Sequence, residues 1–213
     1  MIKNWRILQK TPESRRQRII LVTMIGFLIN VAYGVANGVF GAVTHSWWFL
    51  TISAYYIILS VMRYAVVSYE LKHRGAHSQN EIKIKRFAGS MLLVLSWVMI
   101  GTVVLTVATD RGTKYHEIVM ITIALYTFTK ITLAIIKLCK CGKDNSPLIM
   151  TIRNISLADA VVSMFALQRS MLMTFEGMSI SDIRLMNILT GIGVCLVLIV
   201  LGVNLLRPSK KQK

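Results

Sequence analysis

One acidic residue lies deep inside an apolar stretch of this chain. Asp159 sits near the middle of residues 147–175, a segment long enough to cross a lipid bilayer as a helix. A carboxylate at that depth is costly, so it normally faces protein or water and has a partner. Such residues often serve proton, ion or solute binding, which makes Asp159 the first candidate binding residue.

A basic residue in the preceding apolar segment is the natural counter-charge for this acid. Lys130 lies about midway along residues 118–138. If Lys130 pairs with Asp159, each charge offsets the other's desolvation, and loss of either leaves an unpaired buried charge. The alternative is that one of the two groups titrates and carries a proton.

Polar side chains recur at steps of three and four along several apolar segments, which puts them on single helix faces. Amide groups in a hydrocarbon environment need hydrogen-bond partners, so they point either to a solute or to another helix. Small and hydroxyl residues at the same spacing are also typical of close helix packing, as in the GxxxG motif of Gly34 and Gly38. The predicted lining of a solute site consists of Asn30, Tyr33, Asn37, Tyr56 and Gln168.

Two arginines are expected to reach the membrane surface rather than this site. Arg63 lies near the end of its apolar segment, close enough for its guanidinium to snorkel to the headgroups. Arg169 is expected to snorkel as well, with pairing to Glu176 or the lining of an outward vestibule as alternatives.

Residue sets for catalysis or metal binding do not stand out in the sequence. The four histidines fall in predicted loops or at segment ends, and Cys139 and Cys141 lack the second ligand pair of a zinc site. The chain has no GxSxG, Walker or Rossmann glycine motif. We therefore predict no catalytic residue, no metal site and no cofactor.

The composition is typical of a membrane protein. Hydrophobic residues make up 54% of the chain and charged residues only 16%, against about 25% in soluble domains. The net charge of +16 would also fit a nucleic-acid-binding protein, but the basic residues lie between apolar segments. That distribution favours anionic headgroups on the cytoplasmic side of a bilayer as the partner, and not nucleic acid.

Six apolar segments define one transmembrane domain over residues 1–213. The first helix is expected to begin before the membrane at Pro12, and Ser181 is the expected N-cap of the last helix. The predicted spans are at about 19–44, 47–67, 87–108, 118–138, 148–175 and 185–206, with basic tails at 1–18 and 207–213.

The distribution of Lys and Arg predicts the orientation. Twenty of the 25 basic residues fall on the side of the two termini, and four fall on the opposite side. By the positive-inside rule, both termini are cytoplasmic. The fold class expected is an all-α integral membrane protein, a six-transmembrane-helix bundle built as three helical hairpins with short outer turns.

Three functions compete for such a chain. The first is a small transporter or channel for a polar solute or ion, with its site at mid-membrane. The alternative is a non-catalytic assembly or regulatory protein whose polar stripes only pack. A lipid-modifying enzyme ranks third, because the sequence offers neither a nucleophile nor a metal site. The cell membrane is the expected location, and a homodimer with the site at its interface is a further hypothesis.

Overall fold

The described residues of the chain are almost entirely α-helical. The computed structural model of the protein describes residues 12–73, 80–108, 117–139, 147–174 and 177–207. Within these residues six helices follow one another: α1 Pro12–Thr44, α2 Trp47–His73, α3 Asn80–Ala108, α4 Glu117–Cys139, α5 Pro147–Thr174 and α6 Ile180–Leu206. This confirms the all-α class. Most of the predicted basic tails and the second, third and fourth connections lie outside the described residues.

Five of the described helices, all except α4, are long and apolar enough to cross a membrane. The apolar part of α4 is shorter and covers Met120–Ile136. Large apolar side chains also cover the outside of the bundle, with Leu21 at 60%, Trp97 at 74% and Leu125 at 69% exposure. Soluble monomers rarely expose such continuous apolar surface. These properties indicate an integral multi-pass membrane protein.

Helix α5 occupies the centre of the bundle. Two thirds of its membrane-length segment (67%) is buried, against 17% for α1. It packs on α2, α3, α4 and α6. The helix that carries the deep carboxylate therefore contacts four others, as its mixture of small and apolar residues allows.

Glycines bring α1 and α2 together along one seam. The two helices are joined by His45 and Ser46, and His45 makes the turn with a φ of 49°. The Ser53 hydroxyl donates to the carbonyl of Gly34 at 2.7 Å, and a Cβ at Gly38 would lie 2.9 Å from the same hydroxyl oxygen. A side chain at Gly38 would collide with Ser53, so this GxxxG motif serves helix packing.

Helix α3 packs most extensively on α6, and α4 on α5. A Cβ on Gly89 of α3 would lie 3.0 Å from the carbonyl oxygen of Gly202 of α6. At one end of this pair, Lys85 Nζ donates to the Arg207 carbonyl at 3.1 Å, where the α6 dipole favours a cation. Helices α1 and α2 pack on each other, whereas the main spatial partner of α3 is α6 rather than its chain neighbour α4.

The start of α6 also differs from the expectation. The N-cap is Ser179, whose hydroxyl accepts a hydrogen bond from the Asp182 backbone amide, and not Ser181. Because Ser179 satisfies the first free amides, helix α6 begins at Ile180. This start lies five residues before the predicted span at 185.

We predict that Gly89→Ala destabilises the protein by about 1–3 kcal/mol, because the added methyl group meets the α6 backbone, which cannot easily move. Gly101→Ala on the same helix is the matched control, since no atom of the described residues lies within 4 Å of its Cβ position. SDS titration of the purified protein measures the free energy of unfolding of each. Equal stability of the two variants would contradict the close α3–α6 contact.

Candidate functional site

Asp159 is held between two cations from two other helices. Its Oδ2 accepts from Arg63 Nη2 of α2 at 2.8 Å, and its Oδ1 accepts from Lys130 Nζ of α4 at 2.7 Å. The carboxylate residue is 2% exposed. The predicted contact with Lys130 is thus present in the structure, and Arg63 completes a triad that links α2, α4 and α5.

Lys130 makes a second polar contact on α5. Its ammonium donates to Ser163 Oγ at 2.9 Å, and this hydroxyl donates to the Asp159 backbone carbonyl at 2.7 Å. Ser163 lies one helical turn after Asp159, so both groups face Lys130. The serine therefore fixes the ammonium position in addition to the carboxylate.

Tyrosine rings surround the ammonium of Lys130. It lies 5.4 Å from the ring centroid of Tyr126 and 5.9 Å from that of Tyr56, within cation–π range. Tyr33 of α1 stacks on Tyr126 of α4 with centroids 6.0 Å apart and ring planes 9° apart. Tyr33 is 42% exposed and therefore lies at the bundle surface. The tyrosine rings thus lie between the triad and the bundle surface at α1 and α4.

Arg63 is buried inside the bundle, contrary to the snorkelling expected from its position near the end of the apolar segment. It is 6% exposed, and its guanidinium packs against Gly26 of α1, where a Cβ would overlap it. The absence of a side chain at Gly26 provides the space for this cation. Sequence reasoning missed Arg63, although its seven-residue spacing from Tyr56 puts both on one face of α2.

Two buried hydrogen-bond donors on the α1–α2 seam have no partner among the residues that the structure describes. They are Arg63 Nε and Asn30 Nδ2, and Asn30 is 1% exposed. Asn30 lies one turn after Gly26 on the same helix face, so both donors lie near the point where Arg63 meets α1. An unpaired buried donor costs about 1–3 kcal/mol. The site therefore has donor capacity in excess of its acceptors.

Two of the predicted lining residues lie elsewhere. Asn37 Nδ2 donates to the Tyr33 carbonyl of its own helix at 2.7 Å. Gln168 Nε2 is 3.4 Å from the Met186 carbonyl of α6, and Gln168 lies two and a half turns from Asp159, on the opposite face of α5. The structure thus brings together Asp159, Lys130, Tyr33 and Tyr56, whereas the side chain of Asn37 bonds to its own helix and that of Gln168 lies by α6.

Arg169 is also buried, contrary to the snorkelling expected for it. It is 4% exposed, its guanidinium carbon lies 3.6 Å from the ring centroid of Trp48 of α2, and its Nη1 donates to Thr106 Oγ1 of α3. The predicted alternative partner, Glu176, lies outside the described residues. A second buried polar cluster, formed by Arg169, Trp48 and Thr106, is therefore present near the end of α5.

An apolar groove of about 300 Å³ lies on the outside of the α1–α2 seam, with Phe27, Val31 and Tyr64 in its lining. Val31 and Tyr33 are two residues apart, which directs them to opposite sides of α1. The groove thus opens away from the tyrosines that cover Lys130, and Asp159 is not part of its lining.

The charge of the triad limits its chemistry. Two cations share one carboxylate, so the cluster carries one excess positive charge when all three groups are ionised. Among the described residues, no group of three or more His, Cys, Asp or Glu side chains is placed to hold a metal ion. The arrangement suits binding of an anion or of a solute rich in hydrogen-bond acceptors.

Comparison of the chain with models of known protein families and with curated proteins gave no match. The function is therefore argued from the site alone.

We predict that Asp159→Asn is far more destabilising than Lys130→Met. Loss of the acid leaves two buried cations close together, which costs about 3–5 kcal/mol, whereas loss of Lys130 leaves a neutral Arg63–Asp159 pair. SDS titration of each purified variant measures the free energy of unfolding, with the exposed Lys83→Gln as control for a lost charge. Equal losses for Asp159→Asn and Lys130→Met would contradict an excess of cations.

We predict that Gly26→Ala displaces the Arg63 guanidinium and weakens its pair with Asp159. The variant should lose about 1–3 kcal/mol of stability, as for other overpacked sites. Because the clash involves only Arg63, the loss should shrink when Arg63→Met is introduced in the same chain. Strictly additive effects of the two substitutions in a double-mutant cycle would argue against this contact.

Proposed function

We propose that the protein is a small transporter or channel in which the Asp159 triad binds a small polar solute, preferably an anion. The observation that supports this most is the excess of positive charge at a site halfway along the central helix. Asp159 lies 12 residues from one end of α5 and 15 from the other, which is about 18 and 22 Å of helix rise. In a bilayer this is close to the midplane.

The electrostatics favour an acceptor-rich solute. The first cation neutralises Asp159 and the second remains uncompensated, in a region where a lone charge is expensive. An anion beside Lys130 or Arg63 would regain about 4 kcal/mol for unit charges 4 Å apart at an effective dielectric constant of 20. Arg63 Nε and Asn30 Nδ2, which have no partner within the described ranges, offer hydrogen bonds to the same kind of solute.

The proposal includes the six-span topology with both termini on the cytoplasmic side. Residues 120–136 of α4 rise about 25 Å, close to the hydrocarbon thickness of about 30 Å. The interruption of its apolar run by Lys130 is consistent with a span that contributes a charge to the interior. Basic residues outside the spans would contact anionic headgroups of the cell membrane.

A second candidate is a non-catalytic assembly or regulatory protein. Both carboxylate oxygens of Asp159 are occupied by cations of its own chain, which is also what a purely structural ion cluster requires. In that case the triad fixes the register of α2, α4 and α5, and the exposed α1 or a second copy of the chain provides a surface for partners.

We predict anion flux in liposomes that contain the purified protein. Radiolabelled chloride, inorganic phosphate and succinate serve as anionic probes, and sodium and glycerol as cationic and neutral ones. Lys130→Met should reduce flux of the permeant anion about tenfold or more, because the barrier rises by at least the 1.4 kcal/mol that corresponds to tenfold. The exposed Lys83→Gln should keep wild-type flux.

Two results would count against this function. Wild-type flux in both Lys130→Met and Asp159→Asn would remove the triad from the pathway. The structural role of the triad would be the better account if no probe crossed faster than in protein-free liposomes. This result requires protein that remains monodisperse and folded.

A further inference from the structure

Arg169 is a buried cation outside the triad. It has no carboxylate partner in the part of the chain that the structure describes. Arg169 lies near the end of α5 and is 4% exposed. Within that part of the chain, its hydrogen bond is to the Thr106 hydroxyl and its flat face lies on Trp48. A guanidinium has five N–H donors and a permanent charge, and these two contacts satisfy only part of them.

The surroundings hold Arg169 in place without neutralising it. Thr106 donates its own proton to the Thr102 carbonyl at 2.7 Å, so its oxygen is oriented to accept from Arg169. The Trp48 ring, 3.6 Å from the guanidinium carbon, restricts the plane of the fork. The result is a pre-organised cation, which lowers the entropic cost of binding a ligand.

We propose that Arg169, Trp48 and Thr106 form an oxyanion-binding site at the end of the bundle where α2 begins and α3 and α5 end. The ligand is a phosphate or carboxylate group, because the guanidinium fork matches two oxygens of such a group in bidentate geometry. The site is separate from the Asp159 triad, since ten residues of α5 place about 15 Å of helix rise between them. It stands whether or not the triad transports a solute.

The same chemistry is offered by two sources, a dissolved oxyanion and the phosphate of an anionic lipid.

Trp48 serves as the fluorescence reporter, because a ligand that binds the guanidinium changes the contact of Arg169 with this ring. The other tryptophans are replaced by Phe; Trp47 and Trp97 are 72% and 74% exposed, so their replacement disturbs little packing. Trp5, the fourth, lies outside the described residues.

The experiment records Trp48 emission of this protein in phosphatidylcholine nanodiscs. One arm titrates sodium phosphate against sodium chloride of equal ionic strength, and the other compares nanodiscs with and without phosphatidylglycerol. We expect a saturable change in one of the arms, and an affinity about tenfold or more weaker in Arg169→Gln, as for a lost charge-assisted contact. Arg169→Lys keeps the charge without the fork and should bind at an intermediate level.

Controls separate this site from general attraction of anions. Arg184→Gln removes an exposed basic residue near the start of α6 and should leave the response unchanged. An equal loss in Arg184→Gln and Arg169→Gln would overturn the proposal. So would a response that appears only in Glu176→Gln, because Arg169 would then already be occupied by a carboxylate of its own chain.

Absence of any Arg169-dependent change in both arms, with the variants folded by size-exclusion chromatography, would also overturn the site. A melting temperature that rises with phosphate in the wild type, rises less in Arg169→Lys and does not rise in Arg169→Gln would support it independently of fluorescence, since a ligand that binds only the folded state stabilises that state.

Discussion

The structure depends on one carboxylate that is surrounded by its own counter-charges. Removal of Asp159 from water costs several kcal/mol, and the two ion pairs at 2.8 and 2.7 Å recover this cost only because they are short and nearly fully buried. Three helices must keep their relative positions to preserve both contacts. Any slide of α2 or α4 along α5 would separate a charge from its partner, so the triad fixes the register of the bundle.

Small residues make this charge cluster sterically feasible. Arg63 fits between the helices because Gly26 has no side chain, and the same seam continues through Gly34 and Gly38. On the other side of the molecule, Gly89 and Gly202 let α3 and α6 approach closely. In lipid, where apolar burial gives little drive for helix association, such close contacts and polar bonds are what hold helices together.

Much of this arrangement could be predicted from the sequence. The apolar segments gave the helices, and the contact of Asp159 with Lys130 followed because each was the one such charge deep in its segment. Arg63 was missed because its depth was judged from the end of the apolar run. Distance along a helix does not reveal that a glycine on the neighbouring helix provides room for a guanidinium.

Other differences have the same origin in tertiary packing. Helix spacing alone cannot distinguish faces that meet from faces that point outward, so Gln168, whose side chain lies by α6, was grouped with residues on the opposite face of α5. Chain order equally does not reveal that α3 packs mainly on α6. Burial of Arg169 depended on the position of Trp48, which lies 121 residues earlier in the chain.

The separation of the triad partners along the chain has a consequence for biosynthesis. Arg63 precedes Asp159 by 96 residues, so at about 5–20 residues per second the ribosome completes α2 about 5–20 s before the acid exists. During that interval the nascent α2 contains a guanidinium whose counter-ion has not yet been synthesised.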